Sequence, residues 1–364
     1  MKREQFVAAL GALDEIAGGA FAGERRYVVA ERRIRVRFSS RRLAEGALRA
    51  LAHLVVEPRR DAASAGTERE LTVFVLDHDA PGNPLAGGAG GSAGRVAARS
   101  GAAEERVERF SYDGPEGRGL LHEGFRALFL LDRAGERAAF WVGEPGRIPY
   151  YLASSPLLPI LSWYLADRGR AVVHAGAVAT ETGAVLLAGK SGTGKSTAAL
   201  ACLAAGLDLL GDDMCVIEPA AAIVHSLYCS AKVEAEDVGK HPALAAALAA
   251  EFRFTSEKAL FLFDRHRAGA MRRSAPVAAV AIPVRGSVAP PQRLSAREAF
   301  LAIAPNTIFQ LPGIGRNAAA GVKSLVTSVP VFRVGTGHSI DDIAPRLRDF
   351  ATSLAVARRS AGAG

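Results

Sequence analysis

The residues in this chain best suited to chemistry are a lysine, a hydroxyl and three glycines within one stretch, Gly189-Lys190-Ser191-Gly192-Thr193-Gly194-Lys195-Ser196-Thr197. The stretch satisfies G-x-x-x-x-G-K-[ST], the P-loop or Walker A pattern. Apolar Ala184-Val185-Leu186-Leu187-Ala188 precedes it and Ala198-Ala199-Leu200-Ala201-Cys202-Leu203 follows it. Gly189, Gly192 and Gly194 permit backbone angles that turn several N–H groups inward, toward a phosphate at the positive end of the following helix. Lys195 supplies a point charge to the β- and γ-phosphates, and the Ser196 hydroxyl can enter the coordination shell of Mg²⁺. A glycine-rich turn alone is an ordinary turn. Strand, full motif and helix together predict a nucleotide-phosphate site, with ATP and Mg²⁺ as the expected ligands. GTP stays open: the guanine-reading N-K-x-D pattern is not evident, but ATP sites lack any comparably firm signature.

Phosphoryl transfer also needs a metal ligand and a group that orients or deprotonates the acceptor. Asp212 and Asp213 follow the apolar run Leu207-Asp208-Leu209-Leu210-Gly211, one helix and one strand beyond Lys195. That interval returns a chain to the side of the loop. The two carboxylates can divide metal binding, with Ser196, from base catalysis; which does which is open. His174, within Val172-Val173-His174-Ala175-Gly176-Ala177-Val178-Ala179, reads on its own as a packed, hydrogen-bonded histidine. Lys232 and Arg285 are secondary candidates for charge near the γ-phosphate, each equally readable as a surface cation. Gln310, in Phe309-Gln310-Leu311-Pro312-Gly313, either faces an acceptor or belongs to a turn after a helix.

Taken together, His174-Ala175-Gly176-Ala177, residues 189–197 and Gly211-Asp212-Asp213 resemble the catalytic core of the HPr kinase/phosphorylase family in order and interval. The resemblance is strong over residues 172–217 and loose beyond. It implies a P-loop fold related to phosphoenolpyruvate carboxykinase and a seryl hydroxyl as acceptor. It also implies Lys195 on the transferring phosphate, Ser196 and the Asp212/Asp213 pair around the metal and the acceptor hydroxyl, and His174 near the transferred phosphate. The E-[IV]-R-G-L-G segment of the bifunctional enzymes has no counterpart; Ser226-Leu227-Tyr228-Cys229-Ser230-Ala231-Lys232 stands in its place. The later Arg- and Asn-containing segment linked to dephosphorylation is not recognisable either. The chain is more similar to the HPr kinase-like tailoring kinases of ribosomal (lasso) peptide biosynthesis, which implies a precursor-peptide hydroxyl as acceptor.

The elements that must position these residues belong to a chain of 364 residues, 49% hydrophobic and 23% charged, as expected of a globular protein with two domains. Its net charge of +8 suits an acidic partner. Arg33, Arg35 and Arg37 alternate with Ile34 and Val36, so on a strand the arginines share one face. Without a recognition-helix or aromatic stacking pattern nucleic acid is not expected, while a peptide-docking face stays open. Cys202, Cys215 and Cys229 lack metal-ligand spacing, and three cysteines do not make a disulfide framework, so a reducing, cytoplasmic setting is expected. No stretch approaches the ~20 apolar residues of a membrane span.

Hydrophobic periodicity predicts helices over 5–17, 43–56 and 156–165, and strands over 27–30, 33–38, 70–77, 108–112, 125–132 and 137–142. The Gly/Pro-rich segment 80–103 reads as a flexible loop. Residues 1–169 are thus expected to form a smaller α+β domain that binds the acceptor. Over 170–364 the expectation is an α/β P-loop catalytic domain of the HPr kinase/phosphoenolpyruvate carboxykinase type. Its strands lie at 172–179, 184–188, 207–211, 214–217, 223–228, 260–264, 277–283 and 329–334, with helices after the loop and over 242–250, 296–302 and 340–354. The function expected is a kinase acting on a Ser/Thr hydroxyl of a peptide or protein. A small-molecule hydroxyl kinase and a non-catalytic nucleotide-binding regulatory module are the alternatives, and a homo-oligomer stays open.

Overall fold

The computed structural model describes residues 2–57, 70–77, 80, 109–122, 126–143, 148, 150–245, 258–311 and 315–362. The expected loop over 80–103 lies outside them apart from Ala80, as does the end of the helix expected over 242–250, whose start is a 3-10 turn, Pro242–Leu244. The chain is a mixed α/β protein of two compact units, Met1–Tyr164 and Leu165–Gly364.

In the first unit, eight strands form one mixed sheet: β1 (Gly23–Val29), β2 (Arg32–Phe38), β3 (Val55–Val56), β4 (Leu71–Leu76), β5 (Arg109–Gly114), β6 (Gly117–His122), β7 (Ala127–Asp132) and β8 (Arg137–Val142). Their order is β3-β1-β2-β4-β8-β7-β6-β5, parallel where β4 meets β2 and β8 and antiparallel elsewhere. The alternation in β2 buries Ile34, Val36 and Phe38 on one side of the strand. On the other side, Arg37 lies 3.9 Å over the Phe21 ring and donates to the Ala17 carbonyl. Helices α1 (Arg3–Gly11) and α2 (Leu13–Ala17) set Phe6, Leu10, Leu13 and Ile16 against Phe74, Leu128, Leu130 and Trp141. The helix expected over 43–56 is instead α3 (Arg41–Gly46), a 3-10 turn and β3. Gly46 ends the helix and β-branched Val55-Val56 favour the strand.

The first unit closes with α4 (Tyr150–Ser154) and most of α5 (Leu158–Ala166), and the second unit begins at Leu165, in the last turn of α5. Its main sheet contains β9 (Ala171–Val173), β10 (Gly176–Thr180), β11 (Gly183–Leu187), β12 (Leu209–Gly211), β13 (Cys215–Glu218) and β14 (Ile223–Ser226). β15 (Ser230–Val233) and β16 (Ala259–Leu262) pair apart from it, and β17 (Ser274–Val284), β18 (Gln292–Arg293) and β19 (Val331–Gly335) complete it. The order is β12-β10-β11-β17-β14-β13-β9, with β19 beside β17 and β18 beside β19. β17 is parallel to β11 and β19; the remaining pairs of this sheet are antiparallel.

Helices cover both faces of this sheet. They are α6 (Lys195–Ala204), the single turn α7 (Phe263–His266), α8 (Ala296–Gln310), α9 (Gly315–Ser328) and α10 (Ile343–Gly362). Val185 and Leu187 of β11 pack with Leu200 and Leu203 of α6 and Leu347 and Phe350 of α10. Ala184 and Leu186 point the other way, to Ile303 of α8 and Val322 and Leu325 of α9. Burial on both faces is why β11 reads as a continuous apolar run rather than an alternation. α8 continues eight residues past the expected end at 302, through Pro305, and α9 was not anticipated at all. Gly321 reads as a helix breaker, yet its missing side chain lets α9 lie on β9, since an added Cβ would collide with Ala171.

Candidate functional site

β11 runs directly into the 189–197 loop. Gly189, Gly192 and Gly194 adopt φ values of 127°, 81° and 93°, a region that side chains disfavour. Gly194 caps α6, so the N–H groups of the next three residues have no acceptor within the helix and form a site for an anion. Lys190, Ser191 and Gly192 are exposed at the tip, whereas Lys195 is buried. Its Nζ donates to the carbonyls of Gly189 and Lys190, at 3.0 and 3.1 Å. Burial lowers the pKa of this ammonium, and Asp212 and Asp213 pull it back up. Arg285 packs over the cap; a Cβ on Gly194 would stand 3.1 Å from its Nε.

β12 delivers the two carboxylates. Two glycines let the segments meet: a Cβ on Gly176 would lie 3.0 Å from the Asp212 carbonyl, and one on Gly211 would lie 3.0 Å from Cys215 Sγ. Asp212 is 2% exposed, its carboxylate hydrogen-bonds the Ser196 hydroxyl, and its Oδ1 has no hydrogen-bond partner. Burial pushes its pKa up to about 7, reinforced by the charge of Asp213. Asp213 lies between two nitrogens, its Oδ1 3.3 Å from His174 Nε2 and its Oδ2 2.6 Å from Lys232 Nζ. Burial opposes its ionisation, but Lys232 foremost and then His174 outweigh that and hold its carboxyl below the usual range.

His174 lies in a break between strands rather than within the single strand expected over 172–179. β9 pairs with β13 whereas β10 pairs with β11 and β12, so the chain changes neighbours at His174-Ala175. The His174 N–H donates to Thr307 Oγ1 at 3.2 Å, outside any strand ladder. Burial depresses its imidazole to about 4 against the pull of Asp213, so the ring is neutral near pH 7. The Gln310 amide interacts with the same ring, while Nδ1 lacks a partner of ideal geometry. A neutral imidazole beside a carboxylate can donate from one nitrogen and accept at the other.

The fold thus gathers His174, Lys195, Ser196, Asp212, Asp213 and Lys232 at the start of α6, with Arg285 over the cap and Gln310 beside His174. Asn306 and Thr307 of α8 also contribute, through hydrogen bonds to Gly189 and His174, and carry no signal in the sequence. Among the described residues no group of three or more His, Cys, Asp and Glu could hold a metal ion. Ser196 and Asp212, with its unpartnered buried oxygen, nevertheless suit Mg²⁺, which takes one or two protein oxygens and completes its shell with phosphate and water. A cavity of about 1010 Å³ between Leu294, Val329, Phe332 and Phe350 shares none of these groups. No helix among the described residues is long and apolar enough to cross a membrane. No family model matches this chain, and no curated protein matches it.

Proposed function

We propose that the chain is a phosphotransferase of the HPr kinase-like type that moves the γ-phosphoryl group of ATP to a Ser or Thr hydroxyl of a peptide or protein. The acceptor suggested by its likeness to the lasso peptide tailoring kinases is a ribosomal precursor peptide, with acceptor binding assigned to the first unit. One observation carries the reading: two separate polar sets, Ser196 with Asp212 and His174 with Asp213 and Lys232, meet at the same helix N-terminus. An anion-binding loop alone needs neither set.

In this mechanism the loop N–H groups and the α6 N-terminus bind the β-phosphate, and Lys195 exchanges its two carbonyl acceptors for phosphate oxygens. Ser196 and Asp212 would hold Mg²⁺, which neutralises charge on the phosphate oxygens. Asp213, kept ionised by Lys232, takes the acceptor's proton as its oxygen bonds to the γ-phosphorus and the bond to the β-phosphate oxygen breaks. The loose transition state asks little basicity of it, so positioning by His174 and Lys232 matters more than a high pKa.

The test is the intact mass of a candidate precursor peptide after incubation with the protein, ATP and Mg²⁺, beside a metabolite panel. The expected result is one added phosphoryl group on the peptide with wild type and none with Lys195→Ala. Phosphorylation of a metabolite alone, or nucleotide-dependent association with a partner and no transfer, overturns the proposal.

A further inference from the structure

One turn of α8 touches both halves of the site. Asn306 Nδ2 donates to the Gly189 carbonyl at 3.2 Å, the same oxygen that accepts from Lys195 Nζ at 3.0 Å. Thr307, fully buried, accepts from the main-chain N–H of His174 at 3.2 Å, and Gln310 reaches the His174 ring. Asn306 and Gln310 are one helical turn apart, and Thr307 is three residues before Gln310, so a single helix surface carries all three.

The shared Gly189 oxygen gives Asn306 its importance. A peptide unit is planar, so fixing that oxygen fixes the direction of the Lys190 N–H at the head of the loop. Glycine at φ 127° restrains this unit weakly by itself. When Lys195 turns to a phosphate it leaves the oxygen, and Asn306 is then the side chain still holding it.

We infer that Asn306 is a positioning residue for the nucleotide-binding state of the loop, and that Thr307 and Gln310 set His174 against the same rigid turn. The inference rests on the proposed nucleotide site and deepens it. α8 becomes the common reference for the donor loop and the acceptor-side histidine.

The test is calorimetric titration of the full-length protein with MgATP and MgADP, which requires no knowledge of the acceptor. Asn306→Asp keeps the shape but removes the donor, and Asn306→Ala removes the amide without adding charge, should the aspartate disturb folding. Each is expected to weaken both nucleotides roughly tenfold, the worth of one hydrogen bond. Thr307→Val is expected to leave nucleotide affinity within about twofold and to shift the His174 imidazole signals in spectra of ¹⁵N-histidine-labelled protein, with Thr307→Ser restoring them. Gln310→Ala should shift the same signals. Wild-type affinity in both Asn306 variants, or unmoved His174 signals in Thr307→Val and Gln310→Ala, overturns the inference alone. A wild-type protein that binds neither nucleotide overturns the phosphate site and the inference with it.

Discussion

The two sheets treat charge in opposite ways. In the first unit the arginine-rich hairpin keeps its charges at the surface: Arg26 meets Glu24 at 3.4 Å and Arg35 meets Glu70 at 3.2 Å, with side chains 26–40% exposed. In the second unit Lys195, Asp212 and His174 are each no more than 7% exposed, and Lys195 lies close enough to both of the others for its charge to act on them. Exposed pairs contribute little and cost little, whereas buried ions pay for desolvation and persist where a site uses them. Density of charge along the sequence is therefore a poor guide to chemistry. Three arginines in five residues mark a surface, and a single lysine after glycine belongs to the buried cluster.

The contrast breaks first at Lys195. Lys195→Ala removes the buried cation and is expected to lower phosphoryl transfer by about 10²–10³-fold or more, measured as phosphopeptide formed per unit time. A loss of that size in Arg35→Ala, with Lys195→Ala fully active, would invert the comparison.

A second effect reads stability. Asp212 has a folded pKa of about 7 against an ordinary 3.8, so its ionised form is disfavoured by folding. Stability contributed by the protonated form is complete below about pH 4 and is lost as pH rises through about 7. Asp212→Asn removes that loss, and in metal-free buffer at pH 7 it is expected to raise unfolding free energy by roughly 1–3 kcal/mol, whereas with ATP and Mg²⁺ supplied its transfer falls. Thermal melts from pH 7 down to 4 should show the advantage shrinking. A gap that stays constant or widens toward pH 4 would mean that Asp212 is not the strained carboxylate of the pair.

What the sequence made legible follows the same division between local and distant. Residues 189–197 form one contiguous motif, so loop, cap and lysine could be read directly. His174 and the Asp pair depended on order and interval, and the turn between β12 and β13 indeed brings Asp213 to His174. The strand break at His174 was hidden because apolar residues run through both β9 and β10, and a change of sheet neighbour leaves periodicity intact. Asn306 and Thr307 act across 117 and 133 residues, beyond any local pattern, and Pro305 beside them argued against the helix that carries them. In the first unit the α+β character was readable, but Gly46 and Val55-Val56 turned a long apolar helical pattern into three short elements.

The smallest effect tests the surface side of the comparison. Arg35 stands between Glu70 at 3.2 Å and Glu24 at 3.6 Å, so removing one carboxylate leaves it the other. Glu70→Gln is therefore expected to change unfolding free energy by less than ~1 kcal/mol, as denaturant titration reads it. The difference should shrink further as salt rises above about 0.1 M, where screening acts over roughly 10 Å. A loss well above that, insensitive to salt, would mean that the arginine face is held as tightly as the buried cluster. Because Arg35 is more than a third exposed and doubly partnered, its charge can reorganise with water when Glu70 is removed, a freedom that Lys195 lacks.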